Sequence, residues 1–116
     1  MLSGKSILIV EDAALIAVDI ETVLNELGAT HVSTEGGGES SASAPRRFDL
    51  AVIDIRSAVA LENDLVGELD NGGVPAIFLT TDSEGNGIPR FSGRFEIVQK
   101  PFTYEDLCAA IARLID

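Results

Sequence analysis

Lys5-Ser6-Ile7-Leu8-Ile9-Val10-Glu11-Asp12, a first strand from Lys5 to Val10, carries an unbroken apolar run straight into two acids. The run is too short for a helix of its own, and it is apolar on both alternating faces. That pattern describes a buried strand of a parallel sheet covered on each side. The same grammar recurs at Leu50-Ala51-Val52-Ile53-Asp54, at Ala76-Ile77-Phe78-Leu79-Thr80 and, more briefly, at Ile97-Val98-Gln99-Lys100-Pro101. In open parallel sheets, ligands bind beyond the carboxyl ends of the strands. Glu11, Asp12, Asp54, Thr80 and Lys100 are therefore expected to converge at one sheet edge, as a site for a divalent cation and a phosphoryl group.

Between these strands the period changes. From Ala14 to Leu27, Leu15, Ile16, Ile20, Val23, Leu24 and Leu27 recur at helical spacing, and Gly28 is placed to end the helix. Thr30 to Ser33 reads as a second strand. Gly36 to Pro45 occupies the place of a crossover helix, but its Gly and Ser content predicts a short or frayed one. Asp49 to Asp54 is the third strand, and a helix is expected from about Ala60 to Asp70 with Leu61, Leu65, Val66 and Leu69 inward. Asp82 to Gly93 contains three Gly and Pro89, with only Ile88 and Phe91 as apolar anchors. It predicts a weakly held loop where a fourth helix would stand. Phe95 to Gln99 is the fifth strand. Thr103 and Asp106 form a capping box ahead of a last helix with Leu107, Ile111, Leu114 and Ile115 as its stripe. Residues 1–116 thus read as one α/β domain, a flavodoxin-like doubly wound sheet of order 2-1-3-4-5.

Composition narrows the function. The chain of 116 residues has a formal net charge of −11, and its few basic residues are scattered, which argues against direct nucleic-acid binding. No apolar run approaches the roughly 20 residues of a membrane span, and Met1-Leu2-Ser3-Gly4-Lys5 lacks the apolar stretch and cleavage site of a signal peptide, so none is expected. A single Cys suits a reducing, cytoplasmic compartment.

The chemistry follows from the acids. In the 2-1-3-4-5 order, Glu11 and Asp12 neighbour Asp54, and crowded carboxylates call for a cation. An oxygen-only ligand set suits Mg²⁺, and the lack of His or Cys disfavours zinc. Asp54 is the candidate nucleophile toward phosphorus. Lys100 supplies a counter-charge, with Pro101 inviting a cis bond, and Thr80 offers a hydroxyl to a phosphoryl oxygen. His31, Cys108, Phe102 and Tyr104 read as surface or packing residues.

Four motifs, Ile7 to Asp12, Asp49 to Asp54, Phe78-Leu79-Thr80 and Gln99-Lys100-Pro101-Phe102, resemble the signatures of the receiver domain of two-component response regulators. The resemblance implies phosphoryl transfer to Asp54 from a sensor histidine kinase or a histidine phosphotransfer protein, followed by altered binding of a downstream protein. It implies Mg²⁺ bound by Asp12, Asp54 and the Arg56 carbonyl, with Glu11 acting largely through water. Thr80 would be the switch hydroxyl and Lys100 the phosphate-contacting lysine. Gly73-Val74-Pro75, Phe78, Thr80, Ile88-Pro89 and Gln99 to Phe102 are similar to the FATGUY group, whose members often stand alone and pair with kinases of the HWE type. Thr81-Asp82 departs from that group. Ile97 replaces the usual switching aromatic, and Thr81 replaces a smaller residue. A receiver that binds partners without phosphorylation is one alternative. An Asp-nucleophile phosphatase of the haloacid-dehalogenase type is another, although it needs a second Asp where Arg56 stands.

Overall fold

The computed structural model describes residues 2–35, 48–57, 60, 65–82 and 87–115. The elements in chain order are β1 (Ser6–Val10), α1 (Ala14–Glu26), β2 (His31–Glu35), β3 (Leu50–Asp54), α2 (Leu65–Asn71), β4 (Ala76–Thr80), β5 (Phe95–Gln99) and α3 (Tyr104–Ile115). All five strands run parallel in the order β2-β1-β3-β4-β5, the flavodoxin-like arrangement the sequence predicts.

Alternation along the strands divides the core in two, because successive side chains point to opposite faces. Ile7, Ile9, Val52, Ile77, Leu79 and Val98 pack against Ile20 and Leu24 of α1 and Leu107 and Ile111 of α3. Leu8, Val10, Ala51, Ile53, Ala76 and Phe78 face the other way, with Leu69 of α2. Both faces of β1, β3 and β4 are therefore apolar, as the runs require. A fully buried side chain of this kind contributes about 1.5–3 kcal/mol.

The helix ends follow their sequence signals. Gly28, at φ +92°, adopts the left-handed conformation just past α1 and donates its N–H to the Asn25 carbonyl. The Thr103 N–H donates to Asp106 Oδ2 at 3.0 Å, and the Asp106 N–H donates to Thr103 Oγ1 at 3.1 Å, closing the capping box. One helical assignment is corrected. Leu15 belongs to the apolar pattern of α1, yet it is 83% exposed, as Val18 is at 58%. The stripe that meets the sheet is Ala17, Ile20, Val23 and Leu24. The second strand reaches Glu35, two residues beyond the predicted end. The crossover expected at Gly36 to Pro45 and residues 61–64 of the helix expected from Ala60 lie outside the described residues.

Residues 83–86 of the predicted loop lie outside the described residues; residues 87–94 form no helix, and they are better anchored than their composition suggests. Phe91 meets Phe78 edge-on at 5.4 Å and Phe95 at 6.0 Å. The Asp70 carboxylate at the end of α2 accepts hydrogen bonds from the Ser92 N–H (2.8 Å), the Ser92 hydroxyl (2.8 Å) and the Gly93 N–H (2.9 Å). These bonds, that from the Ser92 N–H foremost, hold its pKa below the ordinary carboxyl value. A depressed carboxyl contributes stability that is present above its unfolded pKa, about 3.9, and lost as pH falls through the folded value. Asp70→Asn should therefore lower Tm by a constant amount from neutral pH down to the ordinary carboxyl range, with the difference closing below it. Thermal unfolding of both proteins across that range is the check, and a gap that never closes contradicts the clamp.

Candidate functional site

The sheet delivers its polar residues to one edge. Val10 pairs with Ile53, so Glu11 and Asp12 leave β1 beside Asp54 at the end of β3. Thr80 ends β4, and the Lys100 N–H donates to the Thr80 carbonyl at 2.7 Å, which brings the end of β5 alongside. The Lys100-Pro101 bond is cis.

Lys100 reaches across the strand ends. Its Nζ donates to Glu11 Oε1 at 2.6 Å and to Asp54 Oδ2 at 2.8 Å. Glu11 is buried, and its Oε2 accepts the Ala13 N–H at 3.1 Å. Asp54 Oδ1 accepts the Arg56 N–H at 2.9 Å. Partial burial works to raise the Asp54 pKa, but the Lys100 and Arg56 hydrogen bonds outweigh it and leave the carboxyl below its ordinary value. Burial likewise works to lower the Lys100 pKa, and the Asp54 and Glu11 hydrogen bonds overcome it and raise it. Both groups are thus held ionised: the Asp54 carboxylate stands beside a fixed ammonium.

Asp12 is positioned by a residue the sequence did not single out. Ser57, buried in the turn after β3, donates its hydroxyl to Asp12 Oδ1 at 2.8 Å. A serine three residues past Asp54 carries no local signal for this, since the two partners are 45 residues apart. Thr80 is buried, and its Oγ1 accepts the Asp82 N–H at 3.0 Å, which leaves its own proton to donate. The Arg56 and Thr81 side chains are exposed, and Ile97 is 45% exposed on β5.

Among the described residues, no group of three His, Cys, Asp or Glu side chains closes on one point. Lys100 and the Ala13 N–H engage both oxygens of Glu11. Lys100 supplies positive charge where three acids would otherwise repel. The donors suited to a cation are still all oxygen, from Asp12, Asp54 and the main chain at Arg56, with Glu11 one step removed. That set fits Mg²⁺, which keeps several waters and uses few carboxylates.

Fold and site together define a doubly wound α/β domain whose acidic strand ends face a lysine and a buried hydroxyl. No family model matches the chain. It is 32% identical to SdrG of Sphingomonas melonis Fr1, with a TM-score of 0.69 over 97% of each chain. The beryllofluoride-activated conformation of SdrG from Pseudomonas melonis Fr1 matches over the whole of both chains, at 30% identity and a TM-score of 0.71. The receiver domain of the sensor histidine kinase PA1611 of Pseudomonas aeruginosa, solved with magnesium coordinated in its active-site cleft, is 28% identical, with a TM-score of 0.73 over 97% of this chain and 98% of that one. The transcriptional regulatory protein PdtaR of Mycobacterium tuberculosis is 29% identical over 112 residues, and the chain spans 55% of its length. The chain belongs to the receiver-domain family of two-component response regulators.

Proposed function

We propose that Asp54 is the phosphoacceptor of this receiver. The observation that carries the reading is the Lys100 ammonium held between Asp54 and Glu11, which fixes a counter-charge where phosphoryl oxygens would gather. An Asp54 carboxylate oxygen attacks the phosphorus of a phosphohistidine, the P–N bond breaks, and the imidazole leaves with the electron pair. The product is an acyl phosphate on Asp54. Lys100 passes from the carboxylate to a phosphoryl oxygen, and Thr80 donates its hydroxyl to another while keeping the Asp82 N–H as donor to Oγ1. Mg²⁺, when bound by Asp12, Asp54 and the Arg56 carbonyl, with Glu11 acting through water, supplies neutralisation of charge on the transferring oxygens. The chain turns over no separate substrate; it promotes only its own phosphorylation and dephosphorylation.

The phosphodonor in this reading is a sensor histidine kinase, of the HWE type by the FATGUY likeness, or a histidine phosphotransfer protein, in the cytoplasm. Leu15 and Val18, exposed on α1 next to Asp12, give such a donor an apolar seat beside the site. A cavity of about 300 Å³ lined by Glu11, Asp12, Ala17, Val18 and Thr34 adjoins them. Adding beryllofluoride, a phosphoryl mimic, with Mg²⁺ should shift the backbone amides of Asp54, Thr80, Thr81 and Lys100 in an NMR titration. Beryllofluoride shifts that ignore Mg²⁺, or that fall away from these four, would contradict the reading.

A further inference from the structure

The ladder between β1 and β3 ends at Val10 and Ile53, so Asp12 lies past its last paired residue. Beyond β3 the chain turns sharply. The Ser57 N–H donates to the Asp54 carbonyl at 3.0 Å, a bond from the fourth residue to the first that closes a β-turn over Asp54, Ile55, Arg56 and Ser57. The Ile55 N–H donates to the Leu79 carbonyl at 3.2 Å and pins this turn to β4. Toward β1, the turn is tied through the Ser57 hydroxyl, which donates to Asp12 Oδ1 at 2.8 Å.

The two partners of that bond differ in freedom. Ser57 is 1% exposed and sits in a turn whose main chain is already bonded, so its hydroxyl is fixed in place. Asp12 is exposed, and the last torsion of an aspartate is broad and roughly two-fold. The bond therefore orders the aspartate rather than the serine. A buried hydroxyl needs an acceptor in any case, and a main-chain carbonyl would meet that need. Here the acceptor is instead a carboxylate suited to a cation, and the same turn carries Asp54 and the Arg56 main chain. One hydroxyl thus sets a donor from β1 against the donors from β3.

We propose that Ser57 is a positioning residue for the cation: it presents Asp12 as a one-oxygen ligand and so favours Mg²⁺ over Ca²⁺. A carboxylate with one oxygen engaged by a hydroxyl does not close on a cation with both. Mg²⁺ demands near-ideal octahedral geometry, whereas Ca²⁺ accepts more oxygens in flexible arrangements, from carboxylates bound through one oxygen or two. Without the hydroxyl, the Asp12 carboxylate turns freely, and the more demanding ion loses more. This role rests on the reading of Asp12, Asp54 and the Arg56 carbonyl as cation donors, and Ser57 acts on the cation through Asp12.

The test is calorimetric titration of the metal-free chain with Mg²⁺ and, separately, with Ca²⁺, for the wild type, Ser57→Ala, Ser57→Thr and Ser57→Val. Partners of metal ligands govern affinity by about 10–100-fold, and Ser57→Ala should lose that much toward Mg²⁺ but at least roughly threefold less toward Ca²⁺. Asp12 is exposed, so its carboxylate stays hydrated in Ser57→Ala, and thermal unfolding without cation should move little. Threonine and valine have the same branching and differ by a hydroxyl. Ser57→Thr should therefore bind Mg²⁺ about tenfold more tightly than Ser57→Val, whatever the added bulk does to both. Mg²⁺ affinity of Ser57→Ala equal to that of the wild type, equal affinities of the threonine and valine variants, or equal losses toward the two cations would each overturn the role of Ser57. A wild type that binds no Mg²⁺ overturns the cation site itself, and this role with it.

Discussion

Lys100→Ala should lose stability and phosphotransfer together. The ammonium touches both Glu11, whose side chain is 2% exposed, and Asp54. Removing it leaves two carboxylates facing each other, one of them buried. Breaking a fully buried pair costs about 3–5 kcal/mol; Lys100 and Asp54 retain some water contact, so about 1–3 kcal/mol is expected here. Loss of one preorganised charge at the transferring group should slow phosphorylation by a further ~10²-fold. Mg²⁺ should then raise the Tm of Lys100→Ala more than that of the wild type, because a cation restores part of the missing charge. Denaturant unfolding with and without Mg²⁺ reads this directly. Unchanged stability, or an equal Mg²⁺ response in both proteins, contradicts the assigned role of the lysine.

Asp12→Asn should separate the site from the fold. Asparagine keeps a carbonyl oxygen that can still accept the Ser57 hydroxyl, so the turn after β3 retains its tie to β1. Removing one negative charge from an acidic cluster relieves repulsion, and stability should hold or rise. Cation binding should suffer. Losing even an outer partner of a metal ligand costs 10–100-fold in affinity, so a direct carboxylate should cost at least ~100-fold. Phosphorylation should fall below detection at Mg²⁺ concentrations that saturate the wild type. Calorimetric Mg²⁺ titration alongside thermal unfolding checks both halves. Wild-type Mg²⁺ affinity in Asp12→Asn would remove that residue from the metal site.

The parts of this molecule that were legible in its sequence are those written locally. The four apolar strand runs fixed the sheet because a buried parallel strand must be apolar on both faces. Thr103 with Asp106, and Gly28, marked helix ends because caps act within one turn. The convergence of Glu11, Asp54 and Lys100 followed from strand order alone. What escaped depends on distant partners. Asp70 reads as one more acid near the end of a helix, and nothing local announces its bonds to Ser92 and Gly93. Ser57 is equally silent about Asp12. Leu15 misled because helical period groups apolar residues into a stripe without saying where the sheet stops touching it. The ion pair of Glu11 with Lys100, 89 residues away, has no local signal either.

The central claim is that Asp54 takes the phosphoryl group, and it is tested most directly by mapping the product. The protein should be incubated with acetyl phosphate and Mg²⁺, trapped as the acyl phosphate, and digested for mass spectrometry, with Asp54→Asn treated identically. One phosphoryl group should appear, on Asp54 alone, only with Mg²⁺, and be absent from the variant. Label on any other residue of the wild type, unchanged labelling of Asp54→Asn, or no label on a folded, Mg²⁺-saturated wild type would contradict the account.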